Sequence, residues 1–526
     1  MLPENRRIIW LVGGLFCFYL ILAALLPAAD DEVYYWSWAR PLQFSYYDHP
    51  PLTAYLIRLS TDVFGDSVFG FRVFACLSTA FVAGVIAYLS RPRTLLPGIL
   101  LTPLFTLGAV LITPDAPLLF FWAAYVWWLV EVHTRLTPVR PISEPAEVCA
   151  AGDETEQRVP WWLWLVGGVL LGCGVLGKYT MALAVPAGFV SFCMVGRHWR
   201  RWLTGYIAHG VVSFVVASPI LIHNIQHDFV PLLFQWRHSM GQKNPGLIPF
   251  FEFLGVQLLL FGTLPFFLYP WTLWNFRRLA ADPRLRVCAC LYAFPLTFFI
   301  YKATHSRLQG NWALVMFVAF WPLAAAWYQS VRPSRGWRWA TASAFLIPSV
   351  AVMFLAAHVI SPISLVPIEG DRVTRQYAFN EATRQIAQTI RDRGESLPVY
   401  TPTYQLTAWL RFQSLDGRQI DQISRPSHFT QRPEHLTDVN RAYVVADFPL
   451  PPEFAEGFGE PELIGQFPVM VRGESVREVK LYLYTKAIAA RPRPSRVSLV
   501  NHQEWAEQPD SNPVRLPAQQ NNGQPE

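Results

Sequence analysis

Charge is scarce in this chain. Of its 526 residues only 15% are Asp, Glu, Lys or Arg, while 52% are hydrophobic; a soluble domain carries about 25% charge. Cysteine is scarce too: seven in all, an odd number, with none after Cys290. Cys17, Cys76, Cys173, Cys193, Cys288 and Cys290 lie in or near apolar runs and Cys149 in a polar loop, so no disulfide framework emerges. Cys288 and Cys290 lack a metal spacing and read as small apolar filler. The net charge of +6 is modest, and the Arg sit in short loops rather than in a stripe, which leaves nucleic-acid binding unsupported. Internal repeats are missing as well, an argument against the repeat-built transporters.

Long apolar runs are what the chain has. Many reach the ~20 residues that cross a hydrocarbon core, and Trp clusters such as Trp127-Trp128 and Trp161-Trp162 flank them as interface belts do. The reading is a polytopic α-helical membrane protein with about eleven spans, near 8–28, 67–90, 95–112, 117–131, 161–176, 180–196, 203–222, 249–270, 287–301, 312–330 and 338–361. The first resembles a signal peptide in its basic start and small residues at Ala28-Ala29. Its apolar centre, however, exceeds the usual ~7–15 residues, so it is read as an uncleaved span. Residues 95–130 and 161–196 are each too long for one crossing and read as tight hairpins, with "TPDAP" at one tip and "GKYT" at the other.

Charge then sets the topology. Seventeen Arg, from Arg6 to Arg338, fall in one set of loops and only seven basic residues in the other, so the first set is cytoplasmic. The consequence is that Asp30, Asp31, Glu32, Asp48, His49, Asp115, Lys178, His227, Asp228, Lys302, His305 and Arg307 all belong to the external face. The polar insert at 132–160 is cytoplasmic and reads as flexible linker. Residues 1–361 thus form the membrane domain, with a first external loop at 29–66. Residues 362–486 read as a small external α/β domain: "TRQYAFNEATRQIAQTIRDRG" has helical periodicity, and "LPVYT", "AYVVADF" and "VKLYLYT" read as strands. Residues 487–526, rich in Pro, Gln, Asn and Arg, read as a disordered tail.

"DDEVYYWSWARPLQFSYYDHPPL", "TPDAP", "GKYT", "HNIQHDF" and "HSRLQGNWAL" occur in that order. Together, over roughly Asp30 to Pro322, they resemble bacterial membrane glycosyltransferases of family 39, the GT-C-fold group related to protein O-mannosyltransferases and lipid A aminoarabinose transferases. The resemblance implies inverting transfer of a sugar from a polyprenyl phosphate, of the undecaprenyl type, to lipid A, another glycolipid or a protein. It implies a multi-pass inner-membrane protein with its site on the periplasmic side. It also implies that the acidic pair Asp31-Glu32 is catalytic and that Lys178 and Arg307 face donor phosphate. His49 stands where aminoarabinose transferases carry a Lys, a departure that removes a permanent charge.

The chemistry asks for the same residue types. A polyprenyl phosphate leaves as a stable anion, so the site needs cations or donors for it; Lys178, Arg307, Lys302 and His49 are the candidates. The attacking hydroxyl must lose a proton to a carboxylate, and Asp31 is the first choice, with Asp115 a second acid that orients acceptor or sugar. Asp48, Tyr35, His227 and Asp228 are candidates for contact with sugar or acceptor. Asp115 also reads as a helix N-cap, and Lys178 as a snorkelling interface residue. No cofactor is assigned; His223, His227 and Asp228 could suggest a divalent metal or equally a surface loop beside headgroups, so a metal is left unsupported. The alternatives are a transporter or flippase of a lipid-linked sugar, which would want charge buried at mid-span, and a plain membrane anchor, which needs no gathered acids and bases.

Overall fold

The structure is a computed structural model. It describes residues 3–90, 105, 107–137, 159–195, 199–237, 247–330, 335–363, 366–368, 371–375, 377–413, 418–423, 439–446, 455 and 457–486. The span expected at 95–112 and the insert at 132–160 lie largely outside the described residues, and the tail at 487–526 wholly outside them. The chain divides into two compact units, Met1–Ser361 and Pro362–Glu526.

Every described element of the first unit is helical, as apolar runs must be where no water is present to satisfy backbone groups. After α1 (Pro3–Leu25) come two short helices, α2 (Asp30–Trp38) and α3 (Leu52–Phe64), then α4 (Val68–Leu89) and α5 (Asp115–Leu136). Next are α6 (Trp161–Gly177), a 3-10 segment at Tyr179–Leu183 leading into α7 (Ala184–Cys193), α8 (Trp199–Gln226) and α9 (Val230–Trp236). The unit closes with α10 (Leu247–Phe261), α11 (Leu264–Trp274), α12 (Pro283–Ala303), a 3-10 segment Gly310–Met316 running into α13 (Phe317–Ser330), and α14 (Arg335–Ile360).

Among the described residues seven helices are long and apolar enough to cross a membrane, eight if α10 and α11 count as one crossing. The span expected at 249–270 is in fact an elbow, with α10 and α11 at 99°. Gly262 makes it: its φ is +67°, and a Cβ there would fall 2.3 Å from the Ser343 carbonyl oxygen of α14. The tip expected at "GKYT" is present, but the second limb starts as 3-10 turns rather than as a straight helix. Helices α4, α5, α12 and α13 make up the interior, 67–72% of each span being buried, while α1, α8 and α14, at 11–28%, keep most of their surface for lipid. Gly168 and Gly172 let α6 lie directly on α8, since a Cβ at either would meet Val212 or Val216 at 2.6 Å. This is small-xxx-small packing, which suits a medium that supplies no hydrophobic force between helices.

The second unit is a five-stranded mixed sheet of order β2-β1-β3-β5-β4. Its strands are β1 (Val399–Thr401), β2 (Ile420–Gln422), β3 (Arg441–Ala446), β4 (Glu462–Val471) and β5 (Glu474–Thr485). The pairs β1–β2 and β1–β3 are parallel, β3–β5 and β4–β5 antiparallel. The helix expected from periodicity is α15 (Phe379–Asp392), which buries Ala382, Ile386 and Ile390 and stops before Gly394 at φ +69°. A two-residue hairpin, Arg472-Gly473, joins β4 to β5 with φ of 56° and 82°, the left-handed pair that matches strand twist.

Candidate active site

The first acidic residues open α2, where the exposed N–H groups of a helix start favour negative charge. Within that turn the neighbours part company. Asp31 is exposed, whereas Glu32 is 1% exposed. Glu32 Oε1 accepts from Arg72 Nε at 2.8 Å and from Ile112 N at 3.1 Å; Oε2 accepts from Arg72 Nη2 at 2.5 Å and from Ala29 N at 3.1 Å. A carboxylate offers about four lone-pair sites, so none is left for a proton from an acceptor. The expectation of a catalytic Glu32 is therefore corrected: its work is structural.

The aromatic stretch behind it folds on itself. Trp38 stacks on Tyr46 at 4.7 Å, the Tyr46 hydroxyl donates to Trp38 O at 2.8 Å, and burial pushes that hydroxyl's pKa well up. Tyr35 is buried against Trp38 and faces His49 at 6.2 Å, so it belongs to the loop's own core rather than to a substrate surface, another correction. Asp48 accepts from the Tyr34 hydroxyl, and its carbonyl accepts from Gln235 Nε2 of α9. Tyr47 packs on Phe234 of the same helix at 4.6 Å. Asp48 thus anchors the loop to α9, and its expected sugar contact gives way to that role. His49 is half-buried beside Tyr35 and Trp38.

Three helix breaks meet at Asp115. This residue starts α5, three residues after the Ile112 N–H that Glu32 holds. Lys178, the residue that ends α6, donates from Nζ to Asp115 Oδ1 at 2.7 Å. Asn311, in the 3-10 segment ahead of α13, donates from Nδ2 to Asp115 Oδ2 at 2.7 Å. Asp115 and Lys178 are 9% and 8% exposed, so the attraction is little screened. The Asp115 side chain caps nothing; Pro114 is the cap residue. Lys178 does not snorkel, and its charge is matched by a carboxylate rather than left for phosphate.

Of the other expected cations, Arg307 is exposed and makes a two-bond pair with Glu252, both at 2.7 Å, which holds its guanidinium more basic than usual. In this structure it ties its loop to α10 at the surface. Lys302, in the last turn of α12, is the contrast: 7% exposed, its side-chain ammonium having no ion-pair or hydrogen-bond partner among the described residues. His227 and Asp228 build the corner between α8 and α9. Asp228 and Phe229 have φ of 53° and 59°, Asn224 O accepts from Phe229 N at 2.8 Å, and Asn224 Oδ1 from Leu232 N at 3.0 Å. That corner aims α9 at the first loop. The described residues contain no group of three or more His, Cys, Asp or Glu placed to hold a metal.

Sequence reasoning missed Arg72 and Asn311. Arg72 had a signal, a permanent cation inside an apolar span, which by default marks function. Asn311 sat within the quoted "QGNW" beside a Trp that drew the attention.

Comparison with known proteins agrees with this architecture. The family model for dolichyl-phosphate-mannose-protein mannosyltransferase matches residues 48–138 and 152–223. The lipid A galacturonosyltransferase RgtD of Rhizobium johnstonii is 24% identical over 384 residues, 70% of this chain and 74% of its own length. The undecaprenyl phosphate-alpha-4-amino-4-deoxy-L-arabinose arabinosyl transferase 1 of Pseudomonas fluorescens is 25% identical over 276 residues, 50% of this chain; the match spans 46% of that protein, just under half its length. The crystal structure of ArnT from Cupriavidus metallidurans bound to undecaprenyl phosphate superposes with a TM-score of 0.58 at 14% identity, covering 93% of this chain and 99% of that one. The chain shares the fold of that structure, and the sequence relatives it matches are glycosyltransferases. Over residues 48–138 and 152–223 the chain is thus similar to the mannosyltransferase family model, in keeping with the family-39 resemblance of its first loop and hairpin tips.

Proposed function

We propose that this protein moves a sugar from a polyprenyl phosphate of the undecaprenyl type onto lipid A, or onto a closely related envelope glycolipid, at the outer face of the inner membrane. The observation that carries the reading is the Asp115–Lys178–Asn311 cluster, held at the ends of three apolar helices and tied through Ile112 and Glu32 to the helix that bears Asp31. Its relatives supply the substrate classes, a galacturonosyl or an aminoarabinosyl donor and a lipid A acceptor.

The acceptor hydroxyl attacks the anomeric carbon from the face opposite the phosphate, so configuration inverts. As the new C–O bond forms, the sugar–phosphate C–O bond breaks and its electron pair leaves with the carrier. The hydroxyl proton goes to Asp31, the exposed acid of the first turn of α2. Lys302 supplies the positive charge that the departing phosphate needs, because Lys178 and Arg307 are already neutralised by Asp115 and Glu252. Asp115, fixed from both sides, orients the sugar or acceptor.

The test uses purified protein in nanodiscs, undecaprenyl-phosphate sugars of both classes and lipid A. Mass spectrometry should find free undecaprenyl phosphate together with glycosylated lipid A. Absence of both products with every donor would defeat the proposal.

A further inference from the structure

Arg72 lies in the first turns of α4 and is 0% exposed. A guanidinium has five N–H donors, and here each has a direction. Nε and Nη2 grip the two oxygens of Glu32 at 2.8 and 2.5 Å. Nη2 also donates to Pro27 O at 2.7 Å, and Nη1 donates to Leu26 O at 2.6 Å and Ala23 O at 3.2 Å. Ala23 lies in the last turn of α1, whose carbonyls have no intrahelical donors left, and Leu26 and Pro27 follow directly on it. Glu32 passes the connection on, to Ala29 N at the start of α2 and to Ile112 N before Asp115.

One ion pair therefore joins four stretches of chain: the end of α1, the start of α2, the beginning of α4 and the approach to α5. We infer that Arg72 and Glu32 are positioning residues that set Asp31 at its working separation from Asp115. The inference rests on the transferase reading, in which those two acids serve one reaction.

The pair is a poor device for stability alone. Taking both charges out of water costs about as much as their attraction returns, and apolar residues of similar volume commonly hold a fold equally well. What apolar residues lack is direction. Van der Waals contacts in place of the guanidinium fork, the three carbonyl contacts and the two backbone amides would fix no angle. Seven directional bonds fix the α2 first turn against the Ile112 segment. Asp31 adjoins one end of that link and Asp115 follows the other by three residues. Misplacing reacting groups by ~1 Å costs on the order of 100-fold in rate, so the link bears on kcat.

Two variants test this in the full chain. Arg72→Lys keeps the charge but loses the fork and at least two donors. The double variant Arg72→Met/Glu32→Leu removes both charges and keeps the volume. For each, kcat is expressed per undecaprenyl-phosphate binding site, which corrects for any unfolded fraction, and the pH–rate profile is recorded. The expected result is a kcat loss on the order of 100-fold, carrier affinity within about threefold of the parent, and a shifted acid limb where Asp31 titrates. Where Arg72→Lys fails to fold, the double variant decides. A folded double variant with parental kcat and an unmoved acid limb overturns the inference while leaving the transferase reading intact. A rise in carrier Kd with kcat unchanged overturns it as well. Absence of turnover in the parent protein defeats both.

Discussion

A carboxylate that must accept a proton has to be reachable by the substrate, and in the first turn of α2 the two adjacent acids differ in exposure. Glu32 is closed by four donors while Asp31 is exposed. Asp31→Asn should therefore lower kcat by roughly 10²–10⁴-fold with undecaprenyl phosphate still bound, as loss of a general base does; retained turnover in a product assay would take Asp31 out of that role. Asn311→Ala should be milder. A hydrogen bond to a charged group is worth about 1.5–3 kcal/mol, so kcat/KM should fall roughly ten- to a hundredfold, measured with one donor at limiting concentration. Asp31, Asp115 and Lys178 were legible in the sequence because each interrupts hydrocarbon at a span end. Glu32 was misread because adjacency along the chain says nothing about which way successive residues of a helix point. Arg72 stayed hidden because its partner lies forty positions away.

Elements were more legible than their joints. The apolar runs marked the long described helices of the first unit but not the short α2, α3 and α9, and hydropathy is blind to a corner made inside one run. The elbow between α10 and α11 depends on a single glycine whose backbone is left-handed and whose missing side chain admits α14. Gly262→Ala should destabilise the protein by about 1–3 kcal/mol from backbone strain, with the clash against Ser343 added, read as a lower melting temperature in detergent. In the second unit the strand β4 escaped sequence reading for a related reason. It carries Gly465 and Pro468, which are uncommon within strands, but β4 is an edge strand with irregular register at Leu463/Gly465, where a missing N–H and a bend are tolerated. The buried strand β3 was plain, since its run of Ala, Tyr and Val is apolar on both faces.

For the molecule as a whole, the orientation in the membrane is the property on which the chemistry depends. The excess of Arg in one set of loops leads us to propose that the second unit is external. In a background stripped of native cysteines, Gln385→Cys on α15 should react with an impermeant maleimide added outside spheroplasts, and Arg278→Cys only after lysis; the reverse pattern would invert the assignment. The buried ammonium of Lys302 carries the last consequence. A sugar phosphodiester has one negative charge, but the monoester it leaves behind has nearly two at neutral pH. On the proposed reading, in which Lys302 faces the carrier phosphate, this cation would hold the spent carrier more firmly than the fresh one, and emptying the enzyme would become the slow stage of its cycle. Rapid mixing should reveal a first turnover faster than those that follow, and Lys302→Met should erase that difference.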